Sequence, residues 1–600
     1  MATRKKNIID LSIGGHKLIT KPVHQLPVVP GTGSRDIQFP DDLAEQTVKK
    51  ARTRAGKIKI DERAASDDPK QGDTLLFNGG VGTLWDILKP AVPTVQDADF
   101  AALVNGADAI QRRMIARQFD GIMESAFGNL EDTATWAVAN MGAALKQPFA
   151  DHLRQVKSLR TQVETALPKV VAELARRNPG VPPRAIIEHA VEMLSKQLGP
   201  ILSVLNVYSD AIQQYQTGRW SVQLKALNAY MESCYRLWIN GDVEGKAPGT
   251  PPQIPLANLH VGMRLMTTIG GDGLGTIPGA KGPVGLSLLM YPLDMLDWIS
   301  LSLCLNSHEN GHQIFADIVD FESEMQTTVQ TSVIAAEKDT VKPLKLVSKQ
   351  TAIGKATVPT RDLIVKMLTD CIGEIEADAA GVLVNGPAFL YGMLLSFPAL
   401  LIRDGSVKDA KALLRSSSVY MTEDQDDGST KLEFEPHPPD YIRAYLVAAM
   451  VEEIGYKPDA DLLRKQADFA VGKLPDSLTW KPAEGKGPTI SIKVADIKAI
   501  APVVAKALIR TKLKSLGGKS LAELVCWGAK QQTKAVAIAD VLEKGGSALP
   551  TNIGSIYPTL IGSAAALAYW ELLHSEDGNT VLPRLEENVL KMLAAVPPAV

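Results

Sequence analysis

Long stretches of the chain repeat apolar residues every three to four positions, the spacing of helices that bury one face. The longest such region is 96–245. Asp97 and Asp99 offer N-caps at its start, DHLRQVKSLRTQVETALPKVVAELARR is periodic throughout, and Pro182–Pro183 marks a further helix start. Asn206 to Ile239 reads as another long helix, its Tyr, Leu and Trp residues recurring at helical spacing as a core stripe. Residues 1–95 are punctuated by Pro and Gly without a period. They are expected to form an irregular, partly mobile arm, with DERAASDDPKQGD as a polar loop. The pattern breaks again over 240–285, a Gly/Pro-rich connection with a short strand expected near Leu256–Met266. Its glycines match neither phosphate-loop spacing and read as structural. Helical periodicity resumes at Leu286 and is interrupted by a polar linker over 337–360. It then runs from Arg361 to about Ser416, yields to an acidic loop, TEDQDDGSTKLEFEPHPPD, and returns over 441–475. The remainder joins a β-like piece, TISIKV, to several helices, and no internal repeat is evident. The expected fold is mainly α with at most a small sheet. Its expected parts are an arm (1–95), a helical domain (96–245), a chemistry-bearing domain (246–475) and a helical C-terminal domain (476–600).

Composition narrows the partners. With 64 Lys+Arg against 67 Asp+Glu the net charge is −3, which argues against a nucleic-acid backbone as the main partner. The uncharged stretch from Ala379 to Ile402 is long enough to span a bilayer, but it holds Asn385, Gly386, Pro387 and Pro398 and directly follows acidic residues. It reads as two buried core helices, and no membrane span is expected. The uncharged run Thr551–Trp570, rich in Gly, Ala and Ser, also reads as buried packing. The basic start, MATRKK, is not followed by the apolar run of a secretory leader. Four dispersed cysteines fit a reducing compartment, so a cytoplasmic protein is expected.

Chemistry concentrates in three segments. LNSHENGHQIF contains His308-Glu309-Asn310-Gly311-His312, an HExxH in which i,i+4 spacing puts both imidazoles on one helical face, able to reach one metal ion, with Glu309 beside the bound water. The apolar lead-in, DMLDWISLSLCLN, favours a buried helix over two solvated histidines, and Gly311 permits close approach of a neighbouring chain. A hydrolytic zinc site takes three protein ligands, so a third is expected downstream. DCIGEIEADAAG supplies Glu374 as that ligand and Asp378, one turn on, as an acceptor that fixes a ligand imidazole's tautomer. Acidic pairs at this spacing are also common on solvated faces; the apolar Leu368, Ile372, Ala379 and Val382 favour the site. Glu376 points to another face. In PHPPDYIR, His437 and Arg443 read either as an ordinary loop-to-helix junction or as donors to a developing oxyanion.

The order HENGH, EIEAD, HPPDYIR resembles the gluzincin metallopeptidases of the CAAX-prenyl-protease and heat-shock membrane-protease family, over about residues 285–450. The resemblance implies a zincin-like core with one Zn2+ per chain. His308, His312 and Glu374 match the ligands, Glu309 the general base, Asp378 the ligand-orienting carboxylate, and His437 and Arg443 the groups near the reacting carbonyl. The implied function is a zinc-dependent endopeptidase acting on protein or peptide. The chain departs from the membrane-embedded members in having no clear spanning helices and in its large helical flanks, so a soluble relative is expected, with the flanks as the surface for a protein partner. The alternative is a helical scaffold with a structural or vestigial metal site, since most of the chain lies outside the motif region.

Overall fold

The computed structural model describes residues 9–10, 109–241, 265–269, 275–277, 287–403, 414–424, 430–471 and 475–596, apart from positions 142, 219, 484, 486 and 577. The expected arm at 1–95 lies outside the described residues, save for Ile9–Asp10. The fold is mainly α with small sheets, as expected. By its contacts the chain divides into two compact units, 19–220 with 268–290, and 1–18 with 221–267 and 291–600.

The first unit is built on three long helices, α1 (Ala109–Asn140), α2 (Ala143–Arg177) and α3 (Pro183–Thr217), the last starting at the predicted Pro pair. Phe127, Leu130, Phe149, Val156, Leu167 and Ile212 are buried among them. The long helix expected over 206–239 is broken. Gly218 sits at φ 67, the left-handed conformation that terminates helices, and ends α3 by donating its N–H to Gln214 O. The chain then enters α4 (Ser221–Asn240), which belongs to the other unit, so the boundary falls near 220 rather than 245.

In that second unit, a 3-10 turn (Leu293–Trp298) leads into α5 (Ile299–Ala316), followed by α6 (Phe321–Lys338). The predicted linker at 337–360 contains a short antiparallel hairpin, Gln350–Ile353 with Ala356–Pro359. Next come α7 (Thr360–Asp370), α8 (Ile372–Asn385) and α9 (Pro387–Arg403). The uncharged stretch is therefore two helices, parted at Gly386 (φ 59), and no helix among the described residues is long and apolar enough to cross a membrane. The expected acidic loop is instead an antiparallel hairpin, Ser417–Asp424 with Thr430–Phe434. Side chains alternate there: Ser418, Tyr420, Leu432 and Phe434 are buried, while Val419 and Met421 face water. This hairpin sits in a five-stranded sheet ordered Ile9–Asp10, Thr430–Phe434, Ser417–Asp424, Ser477–Pro482, Ile490–Lys493. The last of these strands matches TISIKV, and a strand at Leu265–Ile269 overlaps the one expected near Leu256–Met266.

The rest is α10 (Asp440–Glu453), α11 (Lys457–Ala470), α12 (Val494–Arg510), α13 (Leu521–Leu524), α14 (Ala529–Glu543), α15 (Pro558–His574) and α16 (Gly578–Ala595). Residues 476–600 do not separate as a domain. Glu586 of α16 accepts the Ser300 N–H (2.7 Å) at the start of α5, and Cys304 Sγ lies 3.5 Å from Gly562 O of α15. The expected C-terminal domain is thus part of the packing around α5. Cys234, Cys304 and Cys371 are buried and unpaired, and Cys526 is exposed.

Candidate metal centre

HENGH lies in the second half of α5, a helix with nearly every side chain buried. An i,i+4 pair on such a helix must face a neighbour, and that neighbour is α8. The approach is set by Gly311: a Cβ there would lie 2.9 Å from Ala377 Cα and 2.9 Å from Ala380 Cβ. Small residues on both helices therefore bring the two backbones together and set His308 and His312 opposite Glu374 and Asp378, which share one face of α8.

One ligand atom from each of His308, His312 and Glu374 lies within 4.8 Å of the others. His312 Nε2 is 3.1 Å from His308 Nε2 and 3.2 Å from Glu374 Oε1, and His308 Nε2 is 3.4 Å from Glu374 Oε2. A tetrahedral ion with bonds of about 2.0–2.1 Å separates its ligand atoms by about 3.3–3.4 Å, so the three atoms already stand at close to ligand spacing. Asp378 completes the imidazole's environment. Its Oδ1 is 2.8 Å from His308 Nδ1, which assigns a proton to Nδ1 and turns Nε2 toward Glu374.

Arg443 enters from the first turn of α10. Its Nε and Nη2 donate to the two oxygens of Asp378 at 2.8 and 2.6 Å, and Nη1 is 3.4 Å from Glu374 Oε2. The start of α10 is fixed in turn by Asp440, which accepts from the Arg415 backbone N–H (3.0 Å) and guanidinium (2.7 Å). His437 precedes α10 on the segment leaving the hairpin, where Ser418 Oγ donates to its carbonyl (3.2 Å). Its Nε2 reaches 3.3 Å from Glu374 Oε1 without a hydrogen-bond alignment, on the more open side of the cluster.

The electrostatics suit a cation. Burial pushes the Glu374 carboxyl up, but His437 and His312 with the hydrogen bonds from both ligand imidazoles hold it well below the usual range. Burial likewise raises Asp378, and Arg443 brings it down. Desolvation alone would lower His308, but Asp378 and Glu374 outweigh it and leave the imidazole at about 9. His308 would offer Nε2 to a metal ion only on giving up that proton. Burial also raises Glu309, whose Oε2 is enclosed and has no hydrogen-bond partner. Three carboxylates against one guanidinium, two imidazole nitrogens at ligand spacing and an orphaned carboxylate oxygen fit a divalent ion with its water.

All seven residues singled out in the sequence thus converge. Two details go beyond that convergence. Arg443 is committed to Asp378 rather than free to meet a substrate, and Glu376, expected on another face as either structural or solvated, is buried, the structural alternative. Sequence reasoning did not find Asn385 and Ser307, which are bonded to each other behind the ligands (2.6 Å). The available signal was an amide inside an uncharged run. Comparison with protein-family models, curated proteins and solved structures finds no match to the chain.

Proposed function

We propose that this chain is a zinc-dependent endopeptidase acting on protein or peptide in the cytoplasm. The observation that carries the reading is the convergence of His308, His312 and Glu374 on one another, with the buried Glu309, whose Oε2 has no hydrogen-bond partner, beside them. The resemblance of the HENGH, EIEAD and HPPDYIR order to the gluzincin peptidases supports it. When bound, the ion supplies Lewis-acid polarisation of the scissile carbonyl and lowers the pKa of its water. Glu309, its carboxyl raised by burial, accepts a proton from water and returns it to the leaving amine. His437, on the open side, donates to the developing oxyanion. Arg443 is a positioning residue: its guanidinium holds Asp378, and Asp378 holds the His308 ring.

The test is metal analysis of the purified protein together with hydrolysis of a quenched-fluorescence peptide library. Wild type should hold about one zinc per chain, and Glu309→Gln should keep it while losing 10²–10⁴-fold in turnover. Wild-type protein free of zinc after purification without chelators, or equal turnover by Glu309→Gln, would overturn the proposal.

A further inference from the structure

Asn385 is the last residue of α8 and is fully buried. An amide has two donor and two acceptor positions, and each of the four faces a polar partner here. Its Oδ1 accepts from Tyr230 Oη of α4 (2.9 Å) and faces Ser563 Oγ of α15 (2.9 Å), whose one hydrogen is shared with Thr559 O (3.0 Å). Its Nδ2 donates to Ser307 Oγ of α5 (2.6 Å) and to Gly381 O (3.2 Å). The Gly381 carbonyl can only accept, which fixes the orientation of the amide. Ser307 Oγ donates onward to Cys304 O (2.5 Å), so its hydrogen is spoken for and its lone pair must meet Asn385. Room for the arrangement is specific: a Cβ at Gly562, beside Ser563, would lie 2.3 Å from Tyr230 Cε2.

The placement matters more than the count of bonds. Asn385 follows Glu374 by three helical turns and lies on the same face of α8. Ser307 directly precedes His308. Along the contact of α5 with α8, the polar links therefore run in order: His312 with Glu374, His308 with Asp378, and Ser307 with Asn385. The first two converge on the ion's position, and the third stands apart from it. The closest backbone approach lies at Gly311, between His308 and His312, where there is no side chain to set axial register. Contact through Gly and Ala carries no polar penalty for axial slippage; a buried amide facing four polar partners does, because slippage leaves polar groups unpaired in the interior.

We infer that Asn385, with Tyr230, Ser307 and Ser563, is a register clamp that positions the two ligand-bearing helices for the ion, extending the site to α4 and α15. The inference rests on the metal-centre reading above. It assigns the flanking helices a role at the site, as the walls against which the ligand spacing is held.

The test measures zinc affinity by chelator competition, beside thermal unfolding of the metal-free protein, for wild type, Asn385→Leu, Ser307→Ala and Tyr230→Phe. Partners that orient ligands from behind typically change metal affinity 10–100-fold. Asn385→Leu should weaken zinc binding at least 10-fold and Ser307→Ala severalfold, with ligand-field spectra of the cobalt-substituted proteins altered in both. Tyr230→Phe, which removes one donor and keeps the ring, guards against the case in which Asn385→Leu fails to fold; it too should weaken zinc measurably. If the folded variants bind zinc as wild type does and show unchanged cobalt spectra, losing only thermal stability, the clamp is overturned and the metal-centre reading stands. Wild type that takes up neither metal overturns both.

Discussion

His308 and His152 are both buried in long helices, yet they end on opposite sides of neutrality. His152, in α2, has no hydrogen bond at either ring nitrogen, and loss of water alone lowers it to about 4. His308 loses the same hydration, but Asp378 and Glu374 stand against its two nitrogens and raise it to about 9. Depth is common to both; the carboxylates are not. Burial strips a cation of water, and its neighbours decide whether the place still attracts positive charge. In the three-helix unit the imidazole is a neutral spacer, while between α5 and α8 the same ring belongs to a cation-seeking cluster.

The largest test of that contrast is Asp378→Ala. It removes the carboxylate from His308 and leaves the buried Arg443 without its main partner. Breaking such a pair typically costs 3–5 kcal/mol. Urea unfolding of the metal-free protein should show a loss of about that size, and chelator competition should show zinc bound 10–100-fold more weakly. Unchanged values would mean that the carboxylate is not what separates the two histidines.

His152→Leu probes the other side. The folded pKa of about 4 lies below the ordinary 6.5, so the unfolded chain takes up the proton first. His152 therefore leaves stability intact above pH 6.5 and lowers it as the pH falls toward 4, by roughly 2–3 kcal/mol at pH 4.5. Paired urea titrations at pH 7 and 4.5 should find that His152→Leu has lost this share of the acid sensitivity. An identical pH dependence in wild type and variant would show that the ring is neither as buried nor as isolated as described.

The smallest effect is expected at Gly311. An added methyl meets Ala377 and Ala380 at 2.9 Å, and Gly311→Ala should destabilise by about 1–3 kcal/mol through backbone displacement. Because the shift parts α5 from α8, zinc affinity should fall with it. Destabilisation with unaltered affinity would place the strain elsewhere.

These histidines were not equally legible. The i,i+4 pairs of HENGH and EIEAD are local, and helical geometry dictates which side chains share a face; the approach permitted by Gly311 followed from its missing side chain. His152 carried no comparable signal, because whether a lone His in an amphipathic helix finds a partner depends on other helices. The hairpin at 417–434 was hidden by its charges, although Lys431-Leu432-Glu433-Phe434 alternates with the period of a strand. The break at Gly218 was masked by helical spacing continuing on both sides. Asn385 was visible only as an amide in an apolar run, since Tyr230 and Ser563 are 155 and 178 residues away in sequence.

That last distance bears on the order in which the protein is made. The three motif segments are complete once the ribosome passes Arg443, but α15 is still to come, and a neighbouring contact between Ser233 and Thr559 spans 326 residues. Pairings of such separation form late, because the intervening loop must close first. A nascent chain holding every proposed zinc ligand thus lacks one wall of the proposed site until α15 has been made.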